Sequence, residues 1–96
     1  MESQQKTIIS TRQSQNPLLH VRIRSAQKLI WEGDATSVSS INSNGAFDIL
    51  PNHARFISVI EDQPIFVQSI NERKKFSFER TVLSVANDVV SVYVGI

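Results

Sequence analysis

The chain has 96 residues, of which 41% are apolar and 20% charged, and its formal net charge is +1. That length suits one small domain, and the near-balanced charge lacks the basic surplus of a nucleic-acid binder. Cysteine is absent, which excludes disulfides, thiolate metal sites and thiol nucleophiles; no run approaches the ~20 apolar residues of a membrane-spanning helix.

Residues 1–16 are polar, with Ile8-Ile9 as the one apolar pair. They lack the continuous apolar core of a secretory signal. A segment of this composition buries too little to offset its ordering entropy, so a disordered tail is expected over 1–16 and a folded domain over 17–96.

After Pro17 the pattern takes a period of two. Leu19-His20-Val21-Arg22-Ile23-Arg24 alternates strictly, which predicts a strand with one buried face. Leu29 and Trp31 continue less regularly, and Gly33 is the expected site of a bulge or bend. Trp31, the sole tryptophan, is expected in the core. Val38 and Ile41 precede Asn42-Ser43-Asn44-Gly45, a strong turn signal. Gly45 to Leu50 leads into Pro51-Asn52-His53. Phe56–Ile60 predicts a strand, Glu61-Asp62-Gln63-Pro64 a turn, and Ile65–Ile70 the next strand. Asn71 to Lys74 connects to the alternating Phe76-Ser77-Phe78. Val82–Ala86 and Val89–Val94 form a final pair around Asn87-Asp88, residue types of a tight hairpin. Val89–Ile96 is uncharged, so it must be central, covered or docked on a partner. No segment keeps a helical apolar repeat over three turns. The chain therefore predicts an all-β sandwich or barrel.

Chemistry-bearing residues are few. His20 falls on a polar face beside Arg22 and Arg24, and two adjacent cations argue against both a metal and a protonated imidazole. His53 has Asp48 and Ser58 nearby in sequence, the residue types of a hydrolytic triad. No nucleophile elbow or phosphate-cradling glycine loop accompanies them. A shaped contact loop is the better reading, because Pro51 fixes its own φ and holds Leu50 extended. Glu72-Arg73-Lys74-Lys75 is placed at a hairpin tip, as a solvated turn or as a contact for anionic headgroups. No catalytic, cofactor-binding or metal-ligating residue is assigned.

Three stretches in order carry a resemblance. They are Leu19–Ala26, then Trp31-Glu32-Gly33-Asp34-Ala35, then Gly45-Ala46-Phe47-Asp48-Ile49-Leu50-Pro51-Asn52-His53-Ala54. Together they resemble the N-terminal domain of the epsilon subunit of rotary ATP synthases, over about Leu18 to Ile96. The resemblance implies a flattened sandwich of two antiparallel sheets without an active site or cofactor. It implies a central-stalk role, binding the gamma subunit and the c-ring to couple ring rotation to ATP synthesis. The location implied is peripheral, on the cytoplasmic (or matrix or stromal) face of an energy-transducing membrane, with membrane contact only through the complex. Carried over by motif, Asn44, Gly45, Ala46 and His53 match the side facing the c-ring, and Ser25 and Ala54 match positions near gamma. This chain departs from the pattern at Ala46, where an acidic residue is frequent. It departs again at Gln63-Pro64 and at Arg80-Thr81, where glycines are usual. It ends at Ile96 where the family continues into two helices, so no helical hairpin, nucleotide binding or hairpin inhibition is expected. A diverged stand-alone sandwich that binds another protein is the alternative.

Overall fold

The computed structural model describes residues 17–95, and the tail expected over 1–16 lies outside them. Nine strands follow one another: β1 (Leu19–Arg24), β2 (Leu29–Ala35), β3 (Ser37–Asn42), β4 (Gly45–Ile49), β5 (Phe56–Glu61), β6 (Pro64–Gln68), β7 (Arg73–Ser77), β8 (Arg80–Ala86) and β9 (Val89–Val94). They form a five-stranded sheet, in the order β2-β1-β9-β8-β5, and a four-stranded sheet, in the order β4-β3-β6-β7. This is the expected two-sheet sandwich. All pairings are antiparallel except β1 with β9, which is parallel.

Alternation becomes burial because successive strand side chains face opposite ways. Leu19, Val21 and Ile23 of β1 are buried beside Val90, Val92 and Val94 of β9 and Leu83 and Val85 of β8. The small sheet answers with Val38, Ile49, Ile65 and Val67. Each such side chain contributes roughly 1.5–3 kcal/mol relative to exposure. Aromatic pairs close the two sides of the sandwich. Phe47 of β4 meets Phe56 of β5 at 5.3 Å, and Trp31 of β2 meets Phe76 of β7 at 5.8 Å. Trp31 is thus half-buried at the margin of the core and not inside it.

Several local expectations are revised. The bulge lies not at Gly33 but two to three residues earlier: Ile23 pairs with Trp31 and Arg24 with Leu29, leaving Ile30 as the extra residue. Gly33 instead leaves room for the indole. A Cβ there would come within 2.8 Å of Trp31 Cη2 and Cζ2. The run after Gly45 is strand β4 and pairs with β3 throughout. The strand expected over Ile65–Ile70 is shorter, Pro64–Gln68, with Pro64 at its first position, where a missing N–H is tolerated. Arg73, Lys74 and Lys75 lie along edge strand β7 and not at a hairpin tip; Ser69–Glu72 makes that turn, closed by Ser69 N donating to Glu72 O at 2.8 Å. Arg80 and Thr81 open β8, opposite Glu61 and Ile60, and neither needs the left-handed backbone that glycine would supply. The uncharged last strand β9 is central, between β1 and β8.

Candidate functional site

The turn carrying Asn44 and Gly45 is set locally. Asn44 N–H donates to Asn42 Oδ1 at 2.8 Å, and Gly45 has φ of 118°, a conformation that suits glycine. Asn44 and Ala46 are exposed. Strand β4 then carries the chain to the opposite end of the sandwich, where His53 lies. The structure therefore brings Asn44, Gly45 and Ala46 together and separates them from His53 by the length of β4.

The His53 loop is tied to the large sheet. Asn52 N–H donates to Asp88 Oδ1 at 2.7 Å, and His20 N–H donates to Asp88 O at 2.8 Å. Asn52, Asn87 and Asp88 all have positive φ, of 70°, 51° and 62°. His53 Nδ1 donates to Ala54 O at 2.7 Å, because a carbonyl only accepts, and its ring stands edge-on to Phe56. Asp48 accepts from Ser39 Oγ at 2.6 Å, and the buried Ser58 Oγ accepts from Asn42 Nδ2 at 3.0 Å. The three residues of the hydrolytic alternative thus sit in three separate hydrogen-bond groups and do not assemble.

Ser25 follows β1 at the far end from His53. Its Oγ lies 3.3 Å from the N–H groups of both Gln27 and Lys28, so the hydroxyl shapes this bend. It lines a shallow depression with Arg24, Ala26, Val82, Tyr93 and Val94. Ala54 is exposed in the loop before β5, at the other end. Ser25 and Ala54 therefore flank one sheet from opposite ends.

Between them lies a surface that sequence reasoning did not single out. On the outer face of the large sheet, Tyr93, Val82 and Val59 form one cross-strand row, Ser91, Ser84 and Ile57 the next, and Val89 and Ala86 a third. Ile57 is 75% exposed, and Val59 and Tyr93 are each more than two-fifths exposed. The signal was present in the sequence: Phe56-Ile57 and Val59-Ile60 are apolar at both parities of one strand, so one face of the pair had to remain outside.

The β1–β2 half of the same face is charged. His20 Nε2 meets Glu32 Oε2, and its Nδ1 meets Asp34 Oδ1 at 3.2 Å. Carboxylates only accept, so serving both requires the imidazolium. The hydrogen bond to Glu32, then the one to Asp34, raises His20 above its ordinary 6.5. This corrects the expectation that Arg22 and Arg24 would disfavour a protonated ring, since the acids of β2 lie closer across the strand pair. Arg22 itself pairs with Glu32 at 3.6 Å. Among the described residues no group of three His, Cys, Asp or Glu side chains is arranged to hold a metal ion, and no helix is long and apolar enough to cross a membrane.

Comparison with known proteins agrees with this architecture. A model of the family described as ATP synthase, Delta/Epsilon chain, beta-sandwich domain, matches residues 18–95. The ATP synthase epsilon chain of Micrococcus luteus is 37% identical over 51 residues, which are 53% of this chain and 56% of the relative. That of Leptospira borgpetersenii is 28% identical over 74 residues, 77% of this chain and 58% of the relative. That of Streptomyces griseus is 29% identical over 51 residues, 53% of this chain and 41% of the relative. The chain thus spans about two-fifths to three-fifths of the length of these relatives. Among solved structures, a chain in the central stalk/c-ring of the Tetrahymena thermophila mitochondrial ATP synthase superposes with a TM-score of 0.67 at 12% identity, over 81% of this chain and 63% of that one. A chain of the Euglena gracilis mitochondrial ATP synthase gives 0.74 at 11% identity, over 88% of this chain and 56% of that one. At such identities the likeness is one of fold.

Proposed function

This chain belongs to the ATP synthase delta/epsilon β-sandwich family, and from that premise we propose that it is a non-catalytic central-stalk subunit which binds the gamma subunit and rests on the c-ring. In this reading it helps turn ring rotation into the rotation that drives ATP synthesis. It sits peripherally on the membrane face where the catalytic head lies, and it reaches the membrane only through the complex.

The observation that carries the gamma contact is the open apolar half-face of Ile57, Val59, Val82, Val89 and Tyr93. Apolar patches rimmed by charge mark protein contacts, and the rim here is the His20–Arg22–Glu32–Asp34 network. Ser25 and Ala54 frame that face at its two ends, which suits a partner lying along the strands. The c-ring contact belongs to the exposed Asn44-Gly45-Ala46 turn. His53 stands at the opposite end of β4, so we place it with Ala54 on the gamma side of the contact.

Calorimetric titration of the chain into purified gamma subunit from the same source tests this. Sub-micromolar binding, about 8 kcal/mol or more, is expected. Ala54→Arg, at an exposed loop position, should keep the β-type circular dichroism and weaken binding at least tenfold. No heat at high micromolar concentration would instead favour a sandwich that has kept the fold and serves another partner.

A further inference from the structure

Among the described residues the two sheets leave four free edges, β2 and β5 in the large sheet, β4 and β7 in the small one. A free edge offers unpaired backbone donors and acceptors to any passing strand, and proteins guard such edges with charge, bulges or brevity. Three edges here are guarded. β7 carries Arg73, Lys74 and Lys75. β2 is broken by the bulge at Ile30 and carries Glu32 and Asp34. β4 has five residues, starts at a left-handed glycine and carries Asp48. Strand β5 has no bulge, glycine or proline, and its one charge is at its last residue, Glu61. Its register with β8 is unbroken from Phe56 to Glu61, and nothing between Arg55 and Glu61 is charged, glycine or proline.

The sequence of this edge is also complementary to itself. We propose that a second copy of the chain adds antiparallel alongside β5, Ser58 opposite Ser58, joining two five-stranded sheets into one. In that register Arg55 of each copy lies opposite Glu61 of the other, and Ile57 lies opposite Val59. All four positions share the outer face, because strand side chains alternate. The dimer therefore has two opposite-charge pairs and two aliphatic pairs in one cross-strand ladder, the pair types that stabilise sheets. Neighbouring registers lose this match. A shift of one residue sets outward side chains against inward ones. A shift of two sets Ile57 against Glu61, or Arg55 against Val59.

The contact is isologous, so it closes at two copies and consumes both unguarded edges. That accounts for an edge uncharged between its ends: Arg55 just before the strand and Glu61 at its last position admit one antiparallel partner and repel a parallel copy, in which like charges would face each other. The inference stands apart from the stalk reading, because it concerns the chain alone.

Sedimentation velocity on the full chain over a concentration series tests it. The mass should climb from 10.8 kDa toward twice that value. Arg55→Glu and Glu61→Lys, each checked for β-type circular dichroism, should each stay monomeric at concentrations where the parent is dimeric. An equimolar mixture of the two variants should recover the dimer, since each then supplies the charge the other lacks. A chain that stays at 10.8 kDa at every concentration would overturn the proposal. So would a dimer indifferent to Arg55→Glu, or a mixture that remains monomeric.

Discussion

His20 shows how a neighbour in space outweighs neighbours in sequence. Along β1 it is flanked by arginines two residues away or more, yet across the strand pair it faces Asp34 directly and Glu32 diagonally. The raised proton affinity has a defined consequence for stability. A group whose folded pKa exceeds its unfolded value stabilises the fold fully below the unfolded value, near 6.5, and loses that contribution as pH rises through the folded value. Urea melts at intervals above pH 6.5 should therefore show the parent chain weakening with rising pH over a window in which His20→Gln is flat. The effect is small, because the ring and both carboxylates are more than a third exposed and water screens them. An equal slope for parent and variant would assign the pH dependence elsewhere.

At the scale of elements, the turns decide what the strands present. Asn87 and Asp88 both have positive φ, the two-residue hairpin geometry that matches the twist of the flanking strands. Asp88 does more than turn the chain, since its carboxylate takes the Asn52 N–H and so fixes the His53 loop against the β8–β9 hairpin. Asp88→Ala places an alanine in the left-handed region and removes that acceptor. A loss of about 1–2 kcal/mol is expected by chemical denaturation. Faster amide exchange at Asn52 and His53 should accompany it. Unchanged exchange there would show that Pro51 alone holds the loop.

For the whole molecule, the two faces of β8 and β9 predict opposite kinds of mutant. Leu83 is fully buried against β5 and β9, and Leu83→Ala should cost roughly 2–5 kcal/mol through the cavity it leaves. Tyr93 is 44% exposed on the other face. Tyr93→Ser should cost about 1 kcal/mol or less in stability while lowering gamma affinity at least tenfold. Denaturant melts paired with calorimetry separate the two. A large stability loss for Tyr93→Ser would mean that this face is structural and not a docking surface.

The sequence by itself determined most of the strands and their buried parity, β4 and the Arg73–Lys75 part of β7 excepted, because alternation is local and each strand's pattern is read along the chain. Leu19–Arg24 and Val89–Val94 were legible for that reason, as was the turn at Asn42–Gly45. The motif order from Leu19 to Ala54 also carried the family. Only the tertiary structure decided which strands are central and which are edges, because strand order is set by long-range pairing. It put uncharged β9 in the middle of a sheet and left β5 open. It decided that Asn44 and His53, nine positions apart with a strand between them, stand at opposite ends. It also decided the state of His20, because the carboxylates that govern it belong to another strand.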